Sequence, residues 1–189
     1  MWQWVPDARA IIPAMRKLAT LTLALLVTTA AFAQEAKKPL SPPAKASATL
    51  GGKQISIDYS APSKRDRAII GGLVPYGQVW RTGANAATTL TTATDLMIGT
   101  IHVPAGTYTL YTIPGEKEWT LIVNKQTGQW GTKYDQAQDL GRTKMAVTPV
   151  KDTVETFAIS LDPTPKKNNQ GTLALTWENT RASVPVMVH

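Results

Sequence analysis

The stretch GTYTLYTI-PGEK-EWTLIVN, residues 106–124, decides the fold more clearly than any other part of this 189-residue sequence. In its second half Trp119, Leu121 and Val123 are apolar and are separated from one another by single residues. A period of two places alternate side chains on opposite faces of a β-strand, and the apolar face lies against a core. Residues 114–117 contain Pro and Gly, which favour turns. The stretch therefore predicts two strands that are joined by a hairpin.

The same period of two recurs along the chain. Apolar residues alternate with smaller or polar ones in residues 53–60, 156–161, 172–177 and 184–188. Gly51-Gly52 is a two-residue hairpin signal, and no segment carries an apolar stripe with helical spacing over a normal helix length. About eight or nine short strands with tight turns are typical of an all-β fold. We predict a single antiparallel β-sandwich with two long loops, and a closed β-barrel is the alternative.

Residues 1–33 have the pattern of an export signal. The basic start Met15-Arg16-Lys17 is followed by an uncharged run over residues 18–32, which ends in the tripeptide Ala31-Phe32-Ala33. This order predicts a signal peptide that is cleaved after Ala33. The run is shorter than the roughly 20 apolar residues that span a bilayer. We expect translation to begin at Met15, export to the periplasm or out of the cell, and no membrane span in the mature chain.

Composition indicates the domain organisation and excludes several kinds of site. Residues 34–46 are rich in Pro, Lys and Ala and predict a flexible tether, and residues 47–189 predict one domain. The chain has no Cys, which excludes disulfides, a thiol nucleophile and a Cys-based metal site. Its net charge of +7 is spread along the sequence. Nucleic-acid binding would need clustered basic residues with aromatic platforms, so we do not expect it.

Two long segments interrupt the strand pattern, residues 61–87 and 125–141. Structureless loops longer than about 12–15 residues are uncommon in compact domains and are often functional. Their aromatic side chains could stack on a sugar ring or a peptide, or could instead plug the ends of the sandwich. These aromatic candidates are Tyr76, Trp80, Trp130 and Tyr134.

The first long loop also carries two polar candidates. Arg81 could act as a fork for a carboxylate, a phosphate or a sugar hydroxyl, with Asn85 as a second polar contact. In the alternative interpretation Arg81 pairs with a carboxylate of the protein itself, Asp58 or Glu178. Asn85 then binds the backbone of its own turn.

Catalytic patterns are sparse. Beyond the leader the histidines are His102, in a predicted strand, and His189. A small hydrolase could use His102, or Asp135 and Asp139 as paired carboxylates, but no nucleophile or metal motif accompanies them. The basic run 63–67 is typical of a solvated loop. We predict no catalytic residue, no metal and no cofactor.

Several blocks of the sequence resemble one known family. They are PYGQVWRTGAN (75–85), PAGTY (104–108), IPG (113–115), WTLIVNK (119–125) and Trp130-Gly131. These blocks are similar to those of the secreted bacterial family catalogued as domain of unknown function 2911, over about residues 40–188. The sequence departs from that pattern at Ala61, where Arg often precedes the proline, and at Ala86, where a charged residue is common. The resemblance implies export and a mostly β fold, and the family has no settled activity.

Taken together, these features favour an exported, soluble, non-catalytic binding or interaction module of the cell envelope that uses the two long loops. The expected partner is a glycan, a peptide or another envelope component. This interpretation predicts that Arg81, Asn85 and either Tyr76 or Trp130 line one concavity. The alternatives are a small secreted hydrolase and a structural subunit that associates with itself through an exposed sheet edge.

Overall fold

The computed structural model describes residues 39–188. These residues form antiparallel strands and a single turn of 3₁₀ helix at Gln136–Gln138. The strands are β1 (Pro43–Leu50), β2 (Lys53–Ser60), β3 (Thr88–Thr92), β4 (Leu96–Ile98), β5 (Ile101–Val103), β6 (Gly106–Ile113), β7 (Glu118–Asn124), β8 (Asp139–Pro163) and β9 (Gln170–Val188). The predicted leader and its cleavage site lie outside the described residues, as does His189.

The nine strands belong to one sheet that folds over on itself. Their order is β1-β2-β3-β6-β7-β8-β9-β4-β5, and the end strands β1 and β5 are not paired with each other. β1 lies far from β8 and β9 in this order but is nevertheless in contact with both, so the sheet forms two facing layers. The predicted all-β antiparallel sandwich is confirmed, and the sheet is not closed into the barrel that was its alternative.

Turn chemistry places the first hairpin where the sequence indicates it. Gly51 and Gly52, between β1 and β2, have φ angles of +57° and +75°. Both lie in the left-handed region that a type I′ hairpin turn requires. β1, however, begins at Pro43, four residues before the predicted start of the domain and within the segment assigned to a tether. Pro43 is tolerated there because a proline at the first position of an edge strand need not donate a ladder hydrogen bond.

The C-terminal half of the chain forms two long strands where the sequence predicts several short ones. β8 and β9 pair along most of their length, but the register shifts between Pro149 and Val154 and again before Ala158. Glu178 of β9, opposite Val154, has a φ of 54°. Irregularities of this kind bend a strand and increase its twist. The long hairpin can therefore follow the curvature of the sheet without being cut into separate elements.

The apolar positions of the period-two pattern face the core. Leu121 and Val123 of β7 are fully buried, and so are Leu173 and Leu175 of β9. An aromatic cluster extends this core. The Trp80 ring stacks on Trp177 at 5.8 Å and meets Phe157 at 5.0 Å and Trp119 at 6.3 Å, edge to face. Trp80 therefore packs into the core from a loop, as the plug interpretation expects.

Candidate functional site

The outer face of β6 and β7 is buried, although its alternating pattern predicts contact with solvent. Thr109 and Tyr111 of β6 and Ile122 and Asn124 of β7 point away from the core positions, and each is at most 1% exposed. Their cover is the segment 125–141, which we call the covering loop. The sheet therefore has a second buried surface, and this surface is partly polar.

Hydrogen bonds fasten the covering loop to this face. Asn124 Nδ2 donates to the Asp135 carbonyl at 2.8 Å and to Asp139 Oδ1 at 2.9 Å. The Tyr111 hydroxyl donates to the Lys133 carbonyl at 3.2 Å. Buried polar groups are costly unless they are paired, so these bonds fix the path of the loop over the strands.

The other long loop, residues 61–87, runs beside β6 and is called the arginine loop below. The Trp80 amide donates to the Thr112 carbonyl at 2.7 Å, and the Thr112 amide donates back to the Trp80 carbonyl at 2.9 Å. This antiparallel bridge puts Trp80 on the core side of β6, the same side as Thr112. Successive residues of extended backbone point to opposite faces, so Arg81 points to the outer side.

The backbone that follows Arg81 has an uncommon conformation. Thr82 and Asn85 have φ angles of 53° and 58°, a region that a β-branched residue such as Thr rarely adopts. Thr82 is fully buried, and its carbonyl accepts a hydrogen bond from Thr88 Oγ1 at 2.7 Å. Backbone strain of about 1–3 kcal/mol persists only where the surroundings impose it, and it is concentrated at functional sites. The turn is therefore held by its contacts.

Arg81 is positioned by a close approach of the two loops. A Cβ added at Gly131 would lie 2.7 Å from Arg81 Cδ and 2.8 Å from the Asn85 carbonyl oxygen. The Gly131 amide donates to that same carbonyl at 3.0 Å. Arg81 Nε donates to the Gly83 carbonyl at 3.3 Å. The aliphatic stem of Arg81 is thus packed against Gly131, and its terminal Nη atoms are left for other partners.

Between the two loops lies a cleft of about 470 Å³, a volume typical of small-molecule sites. Three arginines line it: Arg65, Arg67 and Arg81. The described residues that line it include no Asp, Glu or His. Its apolar and aromatic lining includes Leu73, Val79, Trp80, Tyr111, Tyr134 and Trp177.

Backbone carbonyls orient the two arginines that precede Arg81. Arg65 Nη2 donates to the Leu40 carbonyl at 2.6 Å. Arg67 donates from Nε to the Lys64 carbonyl and from Nη2 to the Ser63 carbonyl, both at 2.9 Å. A carbonyl orients a guanidinium without neutralising it. No ion pair within residues 39–188 involves any of the three arginines of the cleft.

Tyr134 forms part of the opposite wall and is held by a charged network. Its hydroxyl donates to Asp139 Oδ2 at 2.7 Å and accepts a hydrogen bond from Arg142 Nη2 at 2.8 Å. Its ring meets Tyr111 edge to face at 4.9 Å. Burial of the phenol, followed by its hydrogen bond to Asp139, raises the pKa of Tyr134 to about 12. The hydroxyl therefore stays protonated at neutral pH and keeps donating to Asp139.

Over residues 41–186 the sequence matches the family model described as "Protein of unknown function (DUF2911)". The chain belongs to this family. The match includes every strand through β8, most of β9 and both long loops. No curated protein and no solved structure matches the chain.

The structure brings together half of the six residues that the sequence singles out. Trp80, Arg81 and Tyr134 line the cleft. The alternative pairing of Arg81 is not formed, because Asp58 pairs with Lys45 and Glu178 pairs with Lys64.

The other half of the set does not line the cleft. Tyr76 and Trp130 are 44% and 54% exposed outside it, and Asn85 is exposed with its Nδ2 donating to the Ser41 carbonyl at 3.4 Å. Of the residues predicted to share one concavity, this cleft therefore includes Arg81 but not Asn85, Tyr76 or Trp130. The physical reason is local: Gly131 faces Arg81, so its neighbour Trp130 points away, and Asn85 serves as a left-handed turn residue.

Sequence reasoning missed Arg65 and Arg67 as members of the site. It assigned the run 63–67 to a solvated loop, and both arginines are indeed exposed. The composition of the run gives its charge but not its direction. That direction comes from long-range bonds, in which the Arg65 amide donates to Glu155 Oε1 at 2.9 Å and the Lys64 amide donates to the Glu155 carbonyl at 2.7 Å.

The residues considered for catalysis have other partners. Asp135 Oδ1 caps the 3₁₀ turn by accepting from the Ala137 amide at 2.9 Å, and Asp139 accepts from Asn124, Tyr134 and Arg142. His102 Nε2 lies 3.2 Å from Asp95 Oδ2, on β5 and outside the cleft. In the part of the chain that the structure describes, no group of acidic or His residues could hold a metal ion. Nor is any helix among residues 39–188 long and apolar enough to cross a membrane.

Proposed function

We propose that this DUF2911 protein is a non-catalytic binding module that takes a small ligand in the cleft between its arginine loop and its covering loop. The observation that carries the proposal is the placement of Arg81. Its stem is packed against Gly131, and its Nε donates to the Gly83 carbonyl. Within residues 39–188 its Nη atoms have no hydrogen-bond partner, and the side chain lines a cleft of about 470 Å³. Preorganised polar groups in a mostly apolar concavity are the usual construction of a binding site.

The polar chemistry of the cleft suits binding better than hydrolysis. Tyr134, one of the two tyrosines in the lining, has a raised pKa, and its hydroxyl is already shared between Asp139 and Arg142. A general base works best with a pKa near the operating pH, and this phenol is far from it. The edge strands also offer little support for self-association. β5 has three residues, and β1 carries Pro43 and Lys45, features that protect an edge from pairing.

We also propose that the protein works in the cell envelope after export. The support is the signal pattern of residues 1–33 and its small residues before Gln34. N-terminal sequencing of the protein from a periplasmic or culture-medium fraction should give a chain that begins at Gln34. Recovery of an uncleaved chain in the cytoplasm would overturn this part of the proposal.

A thermal-shift screen tests the binding proposal. A ligand that binds only the folded state stabilises it by RT ln(1 + [L]/Kd), about 2.7 kcal/mol at a hundredfold excess over Kd. We expect some compounds in a panel of short glycans, peptides and organic acids to raise the Tm of the wild type and of Arg181→Ala, but not of Arg81→Ala. Arg181 is a matched control because it pairs with Asp162 and does not line the cleft. Equal shifts in all three proteins would place the site elsewhere.

A further inference from the structure

The cleft gathers positive charge that forms no ion pair within residues 39–188. Arg65, Arg67 and Arg81 line the same volume, and no carboxylate of the described residues lines it with them. Two carboxylates from outside the arginine loop accept hydrogen bonds from its backbone amides and form no ion pair with its arginines. Glu155 accepts from the Arg65 amide, and Glu178 accepts from the Ile69 and Ile70 amides at 3.3 Å. A concave site lined by one sign of charge attracts ligands of the opposite sign.

Backbone carbonyls orient the three guanidinium groups but occupy only some of their N–H donors. Arg81 gives one N–H to a backbone carbonyl, as does Arg65, while Arg67 gives two. The remaining N–H groups of each fork are available to a ligand. Two parallel N–H groups of a guanidinium match two oxygens of a carboxylate or a phosphate, and such charge-assisted bonds are about twice as strong as neutral ones. Because backbone carbonyls already orient the side chains, little conformational entropy is lost on binding.

The rest of the cleft lining is largely apolar and suits an apolar part of a ligand. Leu73 and Val79 are 50% and 39% exposed, and both line the cleft beside Trp80. Exposed apolar side chains of this size gain free energy when a ligand covers them. A neutral sugar would leave the three cationic groups without a counter-charge, and a free inorganic anion would leave the apolar wall open to water.

From these two surfaces we infer that the cleft binds a small organic acid. This inference rests on the proposed binding function and adds the class of ligand. The anionic oxygens of a carboxylate or a phosphate monoester bind Arg81, with Arg65 and Arg67 completing the counter-charge. The apolar part of the same molecule covers Val79 and Trp80. Arg81 is half-buried and the other two arginines are exposed, so Arg81 supplies the largest share of the affinity and is screened least by salt.

Calorimetric titration of the purified protein with three matched probes tests this inference. Benzoate and phenyl phosphate carry the two kinds of anion on the same ring, and benzamide has the shape of benzoate without its charge. We expect one or both anions to bind and benzamide to bind at least about tenfold more weakly, since charge-assisted hydrogen bonds are about twice as strong as neutral ones. The anion that binds more tightly shows whether the site prefers a carboxylate or a phosphate.

Variants connect the binding to the arginines. Arg81→Ala should weaken the anion at least about tenfold, and Arg81→Lys should recover only part of it because the planar fork is lost. The double variant Arg65→Ala/Arg67→Ala changes exposed side chains, so it should fold normally, and it should weaken binding and flatten its dependence on salt. Arg181→Ala should bind like the wild type.

The outcomes separate this inference from the proposed function. Benzamide that binds as well as benzoate, with binding lost in Arg81→Ala, would keep the cleft as a site and overturn the organic acid. Anions that bind Arg81→Ala and the double variant as tightly as they bind the wild type would overturn the inference, because they then bind elsewhere. Neither anion binding at millimolar concentration would also overturn it, and the thermal-shift screen then decides separately whether the cleft binds a neutral ligand.

Discussion

The hairpins β1–β2 and β6–β7 follow the same sequence rule and have opposite surroundings. On the outer face of the first, Lys45 and Asp58 pair across the strands at 3.2 Å, and each side chain is 54% exposed. On the outer face of the second, Tyr111 and Asn124 are at most 1% exposed beneath the covering loop. Alternation decides which side of a sheet a residue faces. Only the path of the loops decides whether that side meets water.

This difference also explains where the cleft forms. The covering loop lies on the outer face of β6 and β7, and the arginine loop is bridged to β6 at Trp80 and Thr112. The two loops meet where Gly131 approaches Arg81. The face of β1–β2 that bears Lys45 and Asp58 carries no such pair of loops and keeps an ordinary solvated surface. The candidate site is thus a consequence of the second buried face.

The largest expected loss of stability comes from disrupting the hydrogen bonds on the buried outer face of β6 and β7. Asn124→Ala removes the hydrogen bonds that the fully buried amide donates to the Asp135 carbonyl and to Asp139, and leaves both acceptors of these part-buried bonds without this donor. We expect the free energy of unfolding to fall by about 3 kcal/mol. Urea unfolding measures it.

The matched change on the exposed face is Asp58→Ala, which removes a surface ion pair and should cost no more than about 1 kcal/mol. If the two variants lose similar amounts of stability, the outer face of β6–β7 is open to water in solution and the contrast between the hairpins fails.

A smaller effect is expected where the two loops touch. Gly131→Ala places a Cβ within 2.7 Å of Arg81 Cδ and 2.8 Å of the Asn85 carbonyl oxygen. Crowding of this kind typically costs 1–3 kcal/mol, so we expect a loss of about 2 kcal/mol in the free energy of unfolding. The same change should displace Arg81 and weaken an anionic probe in a calorimetric titration.

The double variant Arg81→Ala/Gly131→Ala provides the control for this contact. It should regain part of the stability lost by Gly131→Ala, since one of the two crowded atoms is then absent. Strict additivity of the two changes would contradict the packing of Arg81 against Gly131.

Much of this architecture can be predicted from the sequence, but only part of the site can. Particular residues show the reason. Alternation around Leu121 and the paired glycines at 51–52 act over neighbouring positions, so they are visible in the sequence. The direction of Arg65 depends on Glu155, a residue ninety positions away, and no local pattern contains that contact. Trp130 and Tyr76 look like binding aromatics by type, but the backbone turns them outside the cleft.

The smallest effect concerns Tyr134 and its pH dependence. Tyr134→Phe should cost about 1 kcal/mol at neutral pH through loss of the hydroxyl bonds. The pKa of Tyr134 is raised from its ordinary value of 10.0 to about 12, so its contribution is complete below pH 10 and is lost as the pH rises toward 12. Over that window the wild type should therefore lose more stability than Tyr134→Phe in urea unfolding.

Tyr76→Phe, a change at an exposed tyrosine outside the cleft, is the control and should follow the wild type over the same range. A wild-type curve that stays parallel to that of Tyr134→Phe would show that the phenol is not held by Asp139 in solution.

An NMR titration of the ¹⁵N-labelled protein with benzoate and with phenyl phosphate tests most directly whether the cleft binds an anion at Arg81. We expect the Arg81 Nε–H signal and the backbone amides of residues 80–84 and 131–134 to shift together and to saturate at one ligand concentration. The β1–β2 hairpin serves as the internal reference and should not move. Shifts centred on residues 45–58, or an Arg81 signal that stays in place while other signals saturate, would contradict the account.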